Sequence, residues 1–299
     1  MTSEPMDELF TQALHDLLEA HCTPAVVRAV ERADEQAGSA QAGSGLWQVI
    51  DGSGFANAMV PESAGGAGLS LAQAFPLFEL CGRFAVPLPL AETMLARAWA
   101  ASHGLEWPAA CVGLEWVDTS AKNTALGSAP DTRVMRAAVL AAQIAGALQR
   151  VLAMTLQYAN DRQQFGRSLG KFQAIQHQLA LMAEQTLAAH MAAQIGCAGL
   201  AVSADSPAAP PAYLPNPLRA GIAKARASEA AVVVVDLAHS IHGAIGFTEA
   251  FDLQLFTRRL HTWRQTAGSE SHWHREIGQA LVNQHGGQAL DLLCQATDG

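Results

Sequence analysis

The sequence is poor in charged and aromatic residues, and the charge it carries is mainly negative. Only 15% of the 299 residues are charged and 6% are aromatic, and the formal net charge is -9. A nucleic-acid-binding protein needs a basic face that displaces counterions from phosphates. The composition therefore argues against a nucleic-acid partner.

Cysteine is also scarce. An odd number of widely separated cysteines without CxxC spacing fits reduced thiols better than a disulfide framework or a zinc site. The five cysteines are Cys22, Cys81, Cys111, Cys197 and Cys294.

Export and membrane signals are lacking as well. The first ten residues are acidic and have no basic region ahead of an apolar one, as a signal peptide would. The apolar run at 230–238 is shorter than the roughly 20 residues that span a bilayer. We therefore expect a cytoplasmic protein without membrane association.

Apolar residues make up half of the chain, and alanine is abundant among them. Alanine and leucine lose little free energy on entering a helix, whereas runs of β-branched residues, which favour strands, are few. A chain of this length can form one large domain or two smaller ones. The composition therefore predicts a mainly α fold.

Periodicity predicts an N-terminal helical domain over residues 1–103. Thr23-Pro24 fits a cap and first-turn pair between two amphipathic helices. Helices are expected as a pair over 6–33, from 46–50, from Leu71 to about Arg83 and from Ala91 to about His103.

The remaining chain predicts a C-terminal four-helix bundle over 131–299. A connection at 104–130 precedes it, with one short strand expected at 110–117. Proline-rich residues 203–217 are typical of a surface loop. The bundle helices are expected from Asp131-Thr132 for about seven turns, from Phe172 to about Val202, from Pro217 to about His242 and from about Ala250.

The turn at 162–167 brings a cation, a carboxamide and an aromatic ring close together between two of these helices. A guanidinium group offers a planar fork of donors, so Arg162 and Arg167 suit a phosphate. The alternative is an ordinary interhelical turn with solvated charges.

The amino-acid sequence of this region resembles the signature of acyl-CoA dehydrogenases. The resemblance rests first on Arg162-Gln163-Gln164-Phe165-Gly166, followed by Phe172-Gln173 and Ile175-Gln176. Two further runs occur in the expected order, at 60–69 (VPESAGGAGL) and 241–248 (IHGAIGFT). Three separated matches in one order are much more specific than any single one.

The resemblance implies α,β-dehydrogenation of an acyl-CoA thioester with FAD as the cofactor, and a glycine loop at 61–68 that lines an acyl channel. A typical member has a β-rich middle domain that holds the flavin ring. Residues 104–130 are too few to form such a domain, because two or three strands would exhaust them. The middle β-domain is therefore expected to be missing or vestigial.

The positions at which the family carries its catalytic base hold no carboxylate in this chain. Alignment to the family pattern places Gly268 at the usual position, and Arg136 near the position used by a second subgroup. Glu270 lies two residues from the first position and is a weak candidate, since a general base needs hydrogen-bond-scale placement. Its alternative role is a solvated loop charge.

Residues that the family uses on the adenine and pyrophosphate side of FAD are better preserved. In the family these residues reach across a subunit interface to the FAD of a neighbour. Ser240 stands where the family usually has glutamine, and its shorter side chain weakens that contact. The resemblance selects Arg162, Gln164, Phe172, Gln173, Ser240, Gly243 and Ala244 as cofactor-binding residues.

Two histidine pairs have spacings that invite a metal-site interpretation, His239 with His242 and His272 with His274. Two ligands without a nearby cysteine or carboxylate do not complete a metal site. We expect no metal.

These features together predict the smaller subunit of a heteromeric acyl-CoA dehydrogenase, in an α2β2 heterotetramer. A full-length partner would supply the flavin-ring pocket and the base, and the substrate would be an acyl-CoA, with a steroid side chain or another bulky acyl group as an option. Two alternatives stay open: a stand-alone dehydrogenase that uses Glu270, and a helical scaffold protein without flavin. Fold analogy alone does not choose among them.

Overall fold

The computed structural model describes residues 4–37, 43–124, 130–199, 212–285 and 291. These residues form helices almost throughout, with one two-stranded sheet among them. The predicted mainly α fold is confirmed, and the described part of the chain contains no β-rich domain.

Helices of the N-terminal half lie close to their predicted bounds. Ser70 caps α4 with a full capping box, in which its hydroxyl accepts from the Gln73 backbone while Gln73 bonds back to the Ser70 backbone. The helices are α1 (Glu4–His21), α2 (Pro24–Ala37), α3 (Ser44–Gly52), α4 (Leu71–Arg83) and α5 (Leu90–Ser102).

The strand predicted at 110–117 is wrong. Residues Glu115–Asn123 form helix α6 instead, with Glu115 and Asp118 in its first turn, where acidic side chains favour the helix dipole. Val117 and Ala121 recur at helical spacing and are buried. Only the last three residues of the predicted strand, 115–117, belong to this helix, and 110–113 have no regular secondary structure.

Residues 104–113 are fastened to the N-terminal helices. The buried guanidinium of Arg97 bonds Asp51 at 2.7 Å and reaches the carbonyl oxygens of Pro108 and Ala109. The indole of Trp47 also donates to the Ala109 carbonyl, at 2.9 Å. The connection therefore belongs to the N-terminal helical layer and forms no strand there.

In the C-terminal half, Asp131 caps α7 and Asn216 caps α9, each through its side-chain oxygen. Pro217 occupies the first position of α9, where a missing N–H costs nothing. The elements are α7 (Thr132–Asp161), β1 (Gln163–Gln164), β2 (Arg167–Ser168), α8 (Gln173–Gly196), α9 (Pro217–His242), α10 (Leu253–Gln265) and α11 (Glu270–His285).

Helices α7, α8 and α9 pack on one another, and the fourth position of the bundle is shared by α10 and α11. Ala267 and Gly268 have φ values of 59° and 100°, which no helix accommodates, so the fourth helix breaks there. The predicted bundle is present with a divided fourth member. Helix α8 ends at Gly196, and 200–211, with most of the predicted 203–217 loop, lie outside the described residues.

One buried core runs through both halves, so the predicted boundaries at 103 and 131 stay predictions. The halves meet where α4 crosses α7. A Cβ atom at Gly82 would stand 1.8 Å from the Gln143 carbonyl oxygen, and one at Gly146 would stand 1.9 Å from the Glu79 carbonyl oxygen. Two glycines therefore bring the helix backbones into direct contact.

Helix α7, and α9 extended to Phe247, are each long and apolar enough to cross a membrane by length and composition. The apolar run at 230–238, on which the prediction of no membrane association rests, is only a part of this longer apolar helix. Most of α7 is buried against the other helices, and α9 carries the buried Arg219 and Lys224. Core helices of soluble bundles pass the same test, so the finding is weak evidence for a membrane protein.

Candidate functional site

The predicted basic turn is a two-residue β-hairpin. Gln163 pairs with Ser168 and Gln164 with Arg167 in antiparallel register. The turn residues Phe165 and Gly166 have φ values of 52° and 79°. Positive φ at both central residues is the type I′ requirement, which matches the twist of the flanking strands.

Several of the residues selected by the family resemblance are exposed on this hairpin and just after it. Arg162 follows directly after α7, and its exposed guanidinium has no ion pair or hydrogen bond within the described residues. Gln164 is exposed in β1, and Gln173 is exposed at the first position of α8. An unpaired guanidinium beside two carboxamides is a donor set that fits a phosphate.

Phe172 has a different environment from the other selected residues. The Arg167 guanidinium lies 4.0 Å from its ring centroid, and Phe165 approaches it edge-on at 6.2 Å. Arg167 is thus engaged in a cation–π contact, which leaves Arg162 as the hairpin's open cation. Phe165 is 90% exposed at the tip.

A second glycine-containing loop, Gly243–Phe247, is called the glycine loop below and begins where α9 ends. Gly243 has φ 65° and ψ -147°, a conformation essentially restricted to glycine, and it turns the chain into a 3-10 segment at Gly243–Phe247. Ser240, Gly243 and Ala244 are all exposed. Gly246 is buried, and a Cβ atom there would come within 3.0 Å of the His242 side chain.

Both selected segments lie at the same end of the bundle. Tyr158, one turn before Arg162, stacks on His242, one residue before Gly243, with ring centroids 4.4 Å apart. The Tyr158 hydroxyl donates to the His242 carbonyl oxygen at 3.3 Å. The parallel helices α7 and α9 therefore end together and present the hairpin and the glycine loop side by side.

The histidines of the first pair, His239 and His242, are engaged in other contacts, and His274 of the second pair lies 3.3 Å from the Glu229 carboxylate. The His239 ring stacks on Phe247 at 4.1 Å, and His242 Nδ1 donates to the Ala238 carbonyl at 2.8 Å. Burial lowers the pKa of both histidines, which keeps them neutral. Among the described residues, the group able to surround an ion is His15, Asp16 and Glu19, two of whose members are exposed.

Gly268, at the first base position, is held in place through its backbone carbonyl group. Its carbonyl oxygen accepts from Lys224 Nζ at 3.1 Å, and the same ammonium bonds the Arg264 carbonyl at 2.9 Å. Lys224 is fully buried, and burial lowers its pKa to about 8, against the attraction of Glu270. A Cβ at Gly268 would come within 2.5 Å of the His272 side chain, and its φ of 100° favours glycine, so a larger residue would require His272 to move and the backbone to adopt a strained conformation.

Glu270, the weak candidate, is tied to Arg264. Both carboxylate oxygens accept from Arg264 Nε at 3.1 and 3.2 Å, and Arg264 Nη2 makes a further close contact. This hydrogen bonding lowers the pKa of Glu270, against the opposing effect of burial. An engaged carboxylate of lowered pKa is a weak general base.

Arg136, near the second base position, forms an ion-pair network that sequence reasoning missed. Its guanidinium donates to Glu92 in a bidentate pair at 2.9 and 3.0 Å and to Glu115 at 2.7 Å. Glu92 also accepts from the Leu114 backbone at 2.8 Å. These contacts join α5, α6 and α7 at the place where a carboxylate would be needed.

A comparison with known families identifies the chain's relatives. The model for the acyl-CoA dehydrogenase C-terminal domain matches residues 132–290, a little more than half of the chain. The chain belongs to the acyl-CoA dehydrogenase family. Acyl-CoA dehydrogenase IpdE2 of Mycolicibacterium smegmatis is 28% identical over 312 residues, covering 87% of this chain and 94% of that protein. IpdE2 of Mycobacterium tuberculosis is also 28% identical, with 87% and 92% covered.

Solved structures confirm the fold of this family member. A variant of the Tcur3481–Tcur3483 steroid ACAD superposes with a TM-score of 0.75 at 21% identity, over 95% of this chain and 100% of that one. The ChsE4–ChsE5 complex from Mycobacterium tuberculosis gives 0.68 at 17% identity, over 95% and 98%. The FAD complex of PigA gives 0.65 at 13%, over 95% and 99%.

The described residues fit one half of an FAD site and not the other. The exposed Arg162, the carboxamides and the open glycine loop suit a pyrophosphate and its adenosine. The part of the chain that the structure describes has no β-domain to enclose a flavin ring and no free carboxylate at either base position.

Proposed function

We propose that this chain is the smaller subunit of a heteromeric FAD-dependent acyl-CoA dehydrogenase. It would contribute the adenine and pyrophosphate side of the cofactor site. A full-length partner would supply the pocket for the flavin ring and the catalytic base. The observation that carries the proposal is the combination of an open, unpaired Arg162 with base positions closed by Lys224 and Arg136.

In this role the chain's residues act by binding and orientation. Arg162 would pair with pyrophosphate oxygens, and Gln164 and Gln173 would donate or accept hydrogen bonds beside it. Gly243 and Ala244 would let the cofactor approach the backbone, because neither carries a side chain beyond a methyl group. FAD, when bound, supplies the hydride acceptor for the reaction.

The comparisons support this assignment at the level of the family and its assemblies. FAD is present in the solved PigA complex, and two of the structural neighbours are named as pairs of proteins. We infer an α2β2 heterotetramer in the cytoplasm. One neighbour is named as a steroid ACAD, which supports a steroid or other bulky acyl-CoA as the substrate.

Co-expression of this chain with a full-length acyl-CoA dehydrogenase homologue tests the proposal. The expected product is a yellow complex that contains FAD. The complex formed with the Arg162→Ala variant is expected to bind FAD at least about tenfold more weakly, because a charge-assisted contact is lost. Arg275→Ala is the matched control, since Arg275 is likewise exposed and has no ion pair within the described chain. Unchanged FAD affinity in Arg162→Ala, with the complex intact, would contradict the proposal.

The same preparation separates the two alternatives. A stand-alone dehydrogenase would bind FAD and reduce an electron acceptor without the partner, and Glu270→Gln would abolish that activity. A flavin-free scaffold would form a complex whose FAD content and activity do not respond to Arg162→Ala. The proposed subunit instead binds FAD only with its partner, and its complex retains activity in Glu270→Gln.

A further inference from the structure

Helix α8 has an apolar side that the rest of the described chain leaves open to solvent. Its inner side packs against α7 and α9, where Met182, Thr186 and Ala189 are buried. On the outer side, Leu187 is 59% exposed and Met191 is 55% exposed. Two long apolar side chains therefore face water in the isolated chain.

The outer side of α8 also lacks the charges that a solvated helix usually carries. The 24 residues of this helix include one carboxylate, Glu184, and no lysine or arginine. Six of the eleven residues that are exposed on α8 are alanine, leucine or methionine. A surface helix normally has polar residues on its outer side, whereas a helix that is apolar all round is a buried one. The sequence of α8 is thus typical of a helix that is covered on both sides.

Helix α7 extends this apolar surface. The side chains of Gln149 on α7 and His190 on α8 lie 3.3 Å apart, and the two helices run antiparallel on either side of the hairpin. Seven residues make about two helical turns, so a step of seven along each helix places Leu156 near Ala183. We call the combined surface the α8 face; its large apolar members are Leu156, Leu181, Leu187 and Met191, which are 40% to 59% exposed. Single exposed apolar residues are normal, but a contiguous patch marks an interaction surface.

The α8 face continues to the proposed FAD-binding end of the bundle. Gln173, the first residue of α8, is exposed, and exposed positions follow it at 177, 180, 184, 187 and 191. Residues at such intervals of three and four lie on one side of a helix. At 1.5 Å per residue, Leu187 lies roughly 21 Å from Gln173 along that side. The residue proposed to face FAD and the apolar side chains therefore share one surface.

Glu184 argues against a second copy of this chain as the occupant of that surface. It is exposed near the middle of the row from 173 to 191, and it forms no ion pair within the described residues. A symmetric pair of copies that covers the whole row brings the two Glu184 carboxylates within about one helical turn of each other. Like charges so close repel, so a different chain with a cation at this point fits better.

We propose that the α8 face docks against an apolar helix of the full-length dehydrogenase subunit, with a lysine or arginine of that subunit opposite Glu184. The inference rests on the proposed function, because a subunit that brings FAD to Arg162 and Gln173 must lie over the start of α8. The same subunit then covers the apolar side chains farther along the helix. Their removal from water stabilises the complex.

Association of this chain with the same full-length homologue, measured by sedimentation velocity at saturating FAD, tests the inference. The Leu187→Gln/Met191→Gln variant is expected to associate at least about tenfold more weakly, because two apolar side chains no longer leave water on docking. Leu9→Gln is the matched control, since Leu9 is 70% exposed but lies on α1, outside the α8 face. Glu184→Lys is expected to weaken association as well, because it places two cations opposite each other.

The FAD content separates this inference from the proposed function. At concentrations that saturate association, the double variant retains Arg162 and Gln173 and is expected to bind FAD as the wild-type chain does. A complex that depends on Leu187 and Met191 but contains no FAD would contradict the proposed function and support the docking surface. A complex that contains FAD and associates equally well with the double variant would overturn the docking surface alone.

Two further results would overturn the inference. One is an equal loss of association in Leu9→Gln, and the other is self-association of the isolated chain that the double variant abolishes, which would make a second copy the occupant. The substituted side chains are exposed and glutamine is a good helix former, so the double variant is expected to fold, as its circular dichroism spectrum checks. If that spectrum shows a loss of helix, Glu184→Lys decides, and unchanged association in that variant counts against the docking surface.

Discussion

The ring of Tyr158 stacks on the ring of His242, and its hydroxyl donates to the His242 carbonyl, so one side chain fixes the ends of two helices 84 residues apart in sequence. Phe251 closes the same cluster, at 6.0 Å from Tyr158 and 5.0 Å from His242. Arg162 and Gly243 extend directly from these ends. The relative position of the proposed FAD-binding residues therefore depends on this aromatic cluster.

Tyr158→Leu is expected to lower the free energy of unfolding by about 1–3 kcal/mol, because the aromatic stack and part of its packing are lost. Tyr158→Phe keeps the stack and loses one long hydrogen bond, so its cost is expected below about 1 kcal/mol. Chemical denaturation measures both. Amide exchange should accelerate at 159–162 and 239–243 in Tyr158→Leu alone; equal exchange in the two variants would contradict the assigned role of the stack.

Gly146→Ala is expected to destabilise the protein by roughly 2–4 kcal/mol, because the new methyl group would meet the Glu79 carbonyl and force α4 away from α7. Gly278→Ala is the matched control. A Cβ at Gly278 meets nothing within 4 Å on α11, so alanine should stabilise that helix by about 0.5–1 kcal/mol. Urea denaturation should therefore give opposite signs, and equal effects would refute the close backbone contact.

The pair of His190 and Glu79 predicts a pH-dependent contribution to stability. His190 Nδ1 lies 2.5 Å from Glu79 Oε1, and this hydrogen bond raises the pKa of His190, against the opposing effect of burial. The folded state thus holds the proton more tightly than the unfolded state. The resulting stabilisation is fully present below the unfolded pKa of about 6.5 and is lost as the pH rises through the folded value.

Denaturation of wild type and His190→Asn between pH 5.5 and 8.5 tests this prediction. The difference in unfolding free energy is expected to be about 1 kcal/mol at the acidic end and to shrink toward pH 8.5. His239 and His242 have lowered pKa values and act in the opposite direction, so the difference between variants is the informative quantity. A difference in unfolding free energy that is independent of pH would rule out the pair.

Local signals in the sequence were sufficient for much of the fold. Helix α4 has its bounds as predicted because Ser70 and Gln73 form a capping box, and α9 because Asn216-Pro217 begins it and Gly243 ends it. The hairpin was expected only as a turn. Gly166 was an available signal, because a glycine at the second position of a two-residue connection favours a type I′ turn.

Contacts between distant residues were not predictable from the sequence. The strand expected at 110–117 was wrong because α6 is fixed by Glu92, 22 residues before Leu114, and by Arg136. Lys224 likewise reaches the Arg264 and Gly268 carbonyls, 40 and 44 residues away. No local pattern reports such pairs, and they close both positions at which a catalytic base was sought.

Removal of the Arg136 guanidinium tests whether that network holds α6 in place. Arg136→Met is expected to lower the unfolding free energy by about 2–4 kcal/mol, because Glu92, 16% exposed, is left without its bidentate partner. Glu115→Gln should cost less than about 0.5 kcal/mol, since that carboxylate is 73% exposed and leaves the Glu92 pair intact. Limited proteolysis should also cut 104–124 faster in Arg136→Met than in Glu115→Gln. Equal stability and equal cleavage in the two variants would mean that burial of Leu114, Val117 and Ala121 alone positions α6.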